Sequence, residues 1–391
     1  MKRALALSEQ ALGPEHPTTA IILNNRAKLY EDQGKYTEAE PLFQQALAIC
    51  EQQLGAEHFT TANILDNLAQ LYWRQGRYAE AEPLYQQALA IKKKVIGPQH
   101  QDTALSLNNL AQLYDDQGRY AEAEPLYQQA LAICEQQLGA THPTTLQVLN
   151  NLAELYRHQG KYAEAESLHQ QALAIRKQVL GAKHLNTGQS LNNLALVYEN
   201  QDRYAEAEPL FQQALAICEQ QLGATHPHTA TCLNNLARAY RHQGKYVEAE
   251  SLHQQALAIR KQVLGAKHPD IGDSFDNLAE LYRHQGRYAE AESLNQQALA
   301  IYEQQLGPEH PYVAGTMHNL AQLREAQGNS EEARTWYARA LAVRELALGE
   351  QHPKTTQTRI RLIALLHTLG QHEEATQLET TETEQETCKE E

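Results

Sequence analysis

The stretch Asn108–Pro143, NNLAQLYDDQGRYAEAEPLYQQALAICEQQLGATHP, decides the fold because it recurs along the whole chain. A glycine and a histidine make the recurrence easy to follow, since each returns every 42 residues. The glycines are Gly13, Gly55, Gly97, Gly139, Gly181, Gly223, Gly265, Gly307 and Gly349, and the histidines are His16, His58, His100, His142, His184, His226, His268, His310 and His352. Self-similarity at a fixed period of this length is typical of solenoids, whose units pack only on their neighbours.

Each repeat contains two amphipathic segments. In the first, Leu107, Leu110 and Tyr114 lie at i, i+3 and i+7, which is the spacing of one face of a helix. Gly118 follows and can close that helix in the left-handed conformation. The second segment again has apolar residues at helical spacing, and Gly139 ends it. Each repeat therefore predicts an antiparallel helical hairpin.

The order of small and large residues in this unit resembles the tetratricopeptide repeat (TPR). The matching positions are Leu110, Ala111, Tyr114, Gly118, Tyr120, Ala123, Tyr127, Ala130 and Leu131. The form NNLA–LY–QG–Y–EAE–L–QAL–LG–HP is similar to the 42-residue variant found in kinesin light chains and in many bacterial repeat proteins. The resemblance implies an all-α fold, a right-handed superhelical solenoid of antiparallel hairpins, whose concave face holds peptides or partner domains.

The repeats indicate one array over residues 1–379, because no linker or change of composition interrupts them. It begins with a half repeat at 1–12 and continues with nine hairpins, the last degraded into a C-terminal cap. Residues 380–391 are expected to be a disordered acidic tail. In the fifth hairpin Asp202 replaces the turn glycine, and we expect it to adopt the left-handed conformation.

Composition argues against several classes of function. The net charge of −15 disfavours general nucleic-acid binding, which requires clustered basic residues. No apolar run approaches the roughly 18 residues needed to cross a bilayer, so no membrane contact is expected. Cys50, Cys134 and Cys218 lie two repeats apart, which is too far for disulfides between them. Cys232 is not part of this series. A reduced, cytoplasmic location fits this use of cysteine.

The chain has no motif for catalysis, cofactor binding or metal binding. HExxH, CxxC, GxxxxGK[ST] and GxSxG are all missing from the sequence. The repeated histidines are one repeat apart, whereas metal ligands must lie about 2 Å from a shared ion. They are instead expected to bond the backbone at the start of the following helix. The sequence predicts a protein that is not an enzyme, with no cofactor and no metal site.

An asparagine ladder is the strongest candidate for a binding site. Its members precede the core leucine of each first helix: Asn25, Asn67, Asn109, Asn151, Asn193, Asn235, Asn277 and Asn319. The resemblance implies that this position faces the groove, where an amide can both donate to and accept from a peptide backbone. The alternative is that the amides bond neighbouring repeats and only fix the superhelix.

Positions three, six and seven residues after the ladder vary between repeats, through either peptide selection or neutral drift. Acidic residues gather in repeats one and three, basic residues in repeats four, six and seven, and Trp73 lies in repeat two. An acidic peptide is therefore expected at repeats four to seven. The predicted peptide-binding residues are Asn67, Asn109, Asn151, Asn193, Asn235, Asn277, Asn319, Arg157, Arg238, Arg241, Arg283 and Trp73.

A longer period is superposed on the repeats. Second helices end alternately in CEQQLG and in KKKVIG or RKQVLG, so a cysteine alternates with Lys92, Arg176 or Arg260. Duplication of an 84-residue block explains this alternation. Ion pairing between neighbouring helix ends, such as Glu135 with Lys177, is the alternative.

Together these features predict a non-enzymatic scaffold that binds a protein or an extended peptide, preferably an acidic one. The alternative is a sensor or regulatory repeat module derived from a larger multidomain signalling protein. The N-terminal half repeat exposes an apolar face. End-to-end self-association through that face is a further expectation.

Overall fold

The computed structural model describes the backbone of residues 2–387 and the side chains of residue 3 and residues 5–379. Over this range the chain forms nineteen α-helices and no strand. The first helices of the nine hairpins are α2 (Pro17–Asp32), α4 (Phe59–Arg74), α6 (Gln101–Asp116), α8 (Pro143–His158), α10 (Leu185–Asn200), α12 (Pro227–His242), α14 (Pro269–His284), α16 (Pro311–Ala326) and α18 (Pro353–Thr368). The second helices are α3 (Tyr36–Leu54), α5 (Tyr78–Val95), α7 (Tyr120–Leu138), α9 (Tyr162–Leu180), α11 (Tyr204–Leu222), α13 (Tyr246–Leu264), α15 (Tyr288–Leu306), α17 (Ser330–Leu348) and α19 (His372–Thr387), and α1 (Lys2–Leu12) is the half repeat.

The chain divides into two compact units, Met1–Ala239 and Tyr240–Glu391, with the boundary inside α12. In the first unit the helices from α1 to α11 each pack on the next in chain order, and α2 also touches α4, α4 touches α6, and α6 touches α8. The second unit follows the same order, with α14 touching α16. Each unit is a stack of hairpins, which confirms the predicted all-α solenoid.

Small residues allow the hairpins to approach closely. In the third hairpin Ala111 and Ala123, one from each helix, are fully buried, and Leu107 and Tyr127 fill the space around them. Alanine is fully buried at the same first-helix position of other repeats, for example Ala321 of the second unit. A larger side chain would force neighbouring helices apart.

The repeated histidine caps the helix that follows it. His142 has an extended backbone, and its Nδ1 accepts a hydrogen bond from the Thr144 N–H at 3.2 Å. Thr145 Oγ1 then donates to the Gly139 carbonyl at 2.9 Å, closing the loop. The other eight histidines accept the same bond. This satisfies a backbone donor that a helix leaves unpaired, and it confirms the predicted role.

The turn of the fifth hairpin is intact. Asp202 has a φ of 57° and is the one non-glycine residue with positive φ among residues 2–387. The turn glycines of neighbouring hairpins, such as Gly160 and Gly244, have φ values of 74° and 75°. The left-handed conformation predicted for Asp202 is confirmed.

The last helix, α19, runs to Thr387 and so passes the predicted boundary at residue 380. Its glutamates and glutamines are good helix formers, which fits this extension. The rest of the predicted tail, residues 388–391, lies outside the described residues. Between residues 2 and 387, no helix combines the length and apolar character needed to span a bilayer.

Candidate functional site: the first-helix face

All seven predicted asparagines are half-buried on first helices. Four of them bond back to the preceding first helix through the side chain 43 positions earlier. These contacts are Asn67 to Asn24 (2.9 Å), Asn151 to Asn108 (2.8 Å), Asn235 to Asn192 (2.8 Å), and Asn319 to Asp276. We call the four places where they occur the asparagine junctions, between hairpins one and two, three and four, five and six, and seven and eight. At these junctions the amide fixes the stack.

The intervening ladder members behave differently. Within the described part of the chain, Asn109 and Asn193 make no cross-repeat hydrogen bond, and Asn277 donates instead to the Asp273 carbonyl in its own helix at 2.9 Å. The ladder therefore alternates with the same 84-residue period as the sequence. Ligand contact stays a prediction.

The second period has a buried chemical cause. At the asparagine junctions the second helix supplies Cys50, Cys134, Cys218 or Tyr302, all buried. Cys50 shares a cluster with Ile64, and Cys134 shares one with Val148. The residue 14 positions after the cysteine is thus apolar or a thiol.

At the alternate places the second helix buries a base instead. We call these the basic junctions, and their cations Lys92, Arg176, Arg260 and Arg344 are only 4–5% exposed. Arg176 Nη1 donates to Ser190 Oγ at 2.9 Å, and Arg260 Nη1 donates to Ser274 Oγ at 2.8 Å. Burial lowers the pKa of Arg176, and it lowers the pKa of Arg344 to about 10. The three arginines therefore bond the hydroxyl 14 residues later, whereas Lys92 and Ser106 both bond the Asp66 carboxylate.

The variable positions of the first helices pair with one another across repeats. The pairs join Glu31 to Arg74 (2.7 Å), Trp73 to Asp116 (2.6 Å), Asp115 to His158 (2.9 Å), Arg157 to Asn200 (3.0 Å), Glu199 to Arg238 (2.6 Å), and Arg241 to Glu280 (3.3 Å). Pairing between repeats is thus a third explanation for the variation at these positions, besides the peptide selection and neutral drift inferred from the sequence. Trp73 joins hairpins two and three in the same way and packs on the core.

Every predicted arginine has a carboxylate partner. Arg157 lies 2.7 Å from Glu154, which also lies 3.2 Å from the buried ring of His169. Burial alone would raise the pKa of Glu154, but the His169 hydrogen bond and the Arg157 charge lower it to about 2. Arg238 binds both carboxylate oxygens of Glu199, at 2.6 and 2.9 Å.

Glu280 differs because several cations share it. Arg283 donates to both of its oxygens, and Arg241 and His284 also reach Oε1, at 3.3 and 3.1 Å. Against the effect of burial, these contacts lower the pKa of Glu280 to about 2, so it is ionised at neutral pH. Nη1 of Arg283 makes no hydrogen bond to any described residue. Three basic side chains therefore share one carboxylate at this part of the first-helix face. Across the described side chains, no group of three or more His, Cys, Asp or Glu is placed to hold a metal ion.

The fold and the first-helix face define an α-solenoid repeat protein. Sequence comparison gives the family: the Tetratricopeptide repeat profile matches 1–52, 18–94, 60–136, 102–178, 144–220, 186–262, 233–304, 270–345 and 312–381. The chain therefore belongs to the tetratricopeptide repeat family, whose members are generally protein-interaction scaffolds rather than enzymes. No curated protein matches it.

Similar solved structures include kinesin-light-chain repeats. A putative kinesin light chain of Podosopora anserina with nearly identical TPR-like repeats is 33% identical and has a TM-score of 0.43, covering 52% of this chain and 97% of its own. BtubC (BKLC) from P. vanneervenii is 24% identical over 61% of this chain and 94% of its own, with a TM-score of 0.46. A Rap protein complexed with Competence and Sporulation Factor is 15% identical over 90% of this chain and 99% of its own, with a TM-score of 0.51. This similarity shows a shared fold alone.

Asp276 takes the acceptor position at the fourth asparagine junction, where Asn24, Asn108 and Asn192 stand at the others. Thr316 Oγ1 donates to it at 2.8 Å, and no cation appears among the groups that shift its pKa. Burial raises the pKa of Asp276 to about 8. The folded carboxyl thus stays protonated at pH values where the unfolded one is ionised.

We predict that Asp276→Asn stabilises the protein in a pH-dependent way. In the wild type the folded state holds a proton that the unfolded state releases above the ordinary carboxyl pKa, 3.8, so the free energy of unfolding falls as pH rises towards about 8. The variant lacks this loss and should be about 1–3 kcal/mol more stable near pH 8, with little difference near pH 4. Urea unfolding at several pH values measures this.

Asp66→Asn is the matched control, because Lys92 Nζ lies 2.6 Å from Asp66. Removing that carboxylate leaves a buried ammonium without its partner and should destabilise the protein at neutral pH. An Asp276→Asn effect of the same size at all pH values would contradict the assignment.

Proposed function

We propose that this chain binds an extended peptide along its first-helix face, without catalysing a reaction. Family membership supports the scaffold role. The observation that carries the peptide proposal is the pair Asn109 and Asn193, half-buried amides in the ladder register that do not bond the neighbouring repeat. A cytoplasmic, reducing location is part of the proposal, since the four described cysteines are free thiols.

The amides suit a ligand whose side chains vary. Each side-chain amide offers two donors and a carbonyl acceptor, so it can bond a peptide backbone without selecting its residues. Because the asparagine junctions already use the alternate amides, the backbone contacts are assigned to Asn109 and Asn193 in the first unit and to Asn277 in the second. The charged groups near Asn277, in the second unit, are assigned the selection of ligand charge.

The proposed preference for an acidic ligand rests on Arg283. Its carboxylate partner Glu280 is shared with Arg241 and His284, and its Nη1 points to no described acceptor. A ligand carboxylate can use that donor in a charge-assisted hydrogen bond. Arg157 and Arg238 contribute less to this proposal, because Arg157 is paired with Glu154 and Arg238 with Glu199.

For the ladder, we predict that Asn109→Ala with Asn193→Ala weakens a bound peptide about tenfold and leaves the unfolding midpoint unchanged. Asn151→Ala with Asn235→Ala should instead lower the free energy of unfolding by about 1 kcal/mol per site, since Asn108 and Asn192 lose their donors. Fluorescence polarisation and urea unfolding separate the two effects. Equal affinity of the first pair and wild type would remove the amides from the site.

For the charges, we predict that Arg241→Gln with Arg283→Gln weakens acidic peptides at least tenfold and basic peptides little. Glu280→Gln should strengthen acidic peptides, because it removes the carboxylate that competes for both arginines. Arg287→Gln, in the turn of hairpin seven, shows the effect of removing one positive charge away from Glu280. Equal losses for acidic and basic peptides in polarisation assays would rule the preference out.

End-to-end self-association is also proposed. Leu7 and Leu12 of α1 are 56% and 50% exposed, and Ile21 of α2 is 44% exposed. These exposed apolar side chains can pack on another copy, as hairpins stack within the chain. Sedimentation over a range of concentrations, with Leu7→Lys as the comparison, reports it; a concentration-independent monomer would exclude it.

A further inference from the structure

Cys218 and Cys232 lie side by side between hairpins five and six. Their Sγ atoms are 3.1 Å apart, with Cys218 on the second helix α11 and Cys232 on the following first helix α12. Both side chains are buried, at 7% and 8% exposure, and both are free thiols. A disulfide requires the sulfurs to approach to about 2.05 Å, so a shift of about 1 Å closes the bond.

This pair is unlike the equivalent positions elsewhere in the chain. Cys50 and Cys134 occupy the same second-helix position as Cys218, but Ile64 and Val148 follow them 14 residues later. Of the three asparagine junctions that contain a cysteine, the one between hairpins five and six has a second thiol in place of that apolar residue. The junctions of Cys50 and Cys134 therefore serve as internal comparisons that lack the second thiol.

A cavity leads to the two thiols. It measures about 470 Å³, lies between α10 and α12, and is lined by both cysteines together with Gly188, Leu222 and the ladder amide Asn193. The exposed side chains of Gln189 and Thr231 also line it. Cys50 and Cys134 are fully buried, with no exposed surface. A small reagent can therefore reach Cys218 and Cys232 more readily than the other described cysteines.

We propose that Cys218 and Cys232 form a modification site at which a hydroperoxide oxidises the two thiols to a disulfide. The Cys218 sulfur attacks the peroxide oxygen, the O–O bond breaks, and a sulfenic acid and one molecule of water or alcohol form. Cys232 then attacks the Cys218 sulfur, its proton leaves with the sulfenic hydroxyl as water, and the S–S bond forms. Two thiols are oxidised and one peroxide is reduced.

The order of attack follows from the contact itself. The hydrogen bond between the two thiols lowers the pKa of Cys218 and raises that of Cys232, so Cys218 is the one that ionises first. The thiolate is the nucleophilic form. The product joins the second helix of hairpin five to the first helix of hairpin six and changes the wall of the cavity beside Asn193. The inference does not depend on peptide binding.

Peptide mapping after treatment of the full-length protein with hydrogen peroxide tests the proposal. No lysine or arginine lies between the two cysteines, so both fall in one tryptic peptide, residues 204–238. The expected product is that peptide two hydrogen atoms lighter, restored by a reducing agent, and split into two disulfide-linked fragments by cleavage after Glu219. Cys50 and Cys134 should remain alkylatable thiols.

Cys232→Val is the matched variant, because it reproduces the Cys134–Val148 pair that the chain already contains. Oxidation should raise the thermal midpoint of the wild type by at least about 2 °C and leave that of the variant unchanged. Two free alkylatable thiols after peroxide treatment, or separate sulfinic acids without a cross-link, would overturn the assignment.

Discussion

Contact between neighbouring hairpins is the constraint on which the whole structure depends. A single hairpin cannot bury its apolar face, so each junction must supply the burial that a globular core supplies elsewhere. Fully buried alanines such as Ala111 and Ala123 bring the helices close. At that distance every polar group in a junction needs a partner within the junction. The junctions contain two kinds of polar contact, a cross-repeat amide or a buried base with a hydroxyl or carboxylate partner.

The two kinds of junction give the 84-residue period a physical meaning. A duplicated block preserves both members of each interacting set, the cysteine with its apolar partner and the base with its serine. Exchange of one member alone would leave a buried cation or hydroxyl unsatisfied. The variable ends of the first helices follow the same logic, since Glu199 pairs with Arg238 and, one repeat later, Arg241 pairs with Glu280, so that both charges are exchanged together. Inheritance in pairs is therefore a requirement of stability as well as a trace of duplication.

Much of the fold could be predicted because it depends on local chemistry at a fixed period. The hairpins, the histidine caps and the left-handed Asp202 each follow from residues within one repeat. The junctions could not be predicted in the same way, because their contacts join residues 14, 39 or 43 positions apart. The motif at the end of each second helix suggests exposed charges, whereas its first base, such as Arg176, is buried. The sequence signal for the two kinds of junction is the joint change of residues 14 positions apart, Arg176 with Ser190 and Cys134 with Val148.

The two kinds of junction should also be interchangeable as complete sets, which a double-mutant cycle at Arg176 and Ser190 measures directly. Ser190→Val alone leaves Arg176 buried without its hydroxyl partner and should be strongly destabilising. Arg176→Cys with Ser190→Val recreates the Cys134–Val148 pair and should recover that loss, giving a coupling free energy of about 1–3 kcal/mol in urea unfolding. Additive effects of the two substitutions, with no coupling, would contradict the two-junction description of the stack.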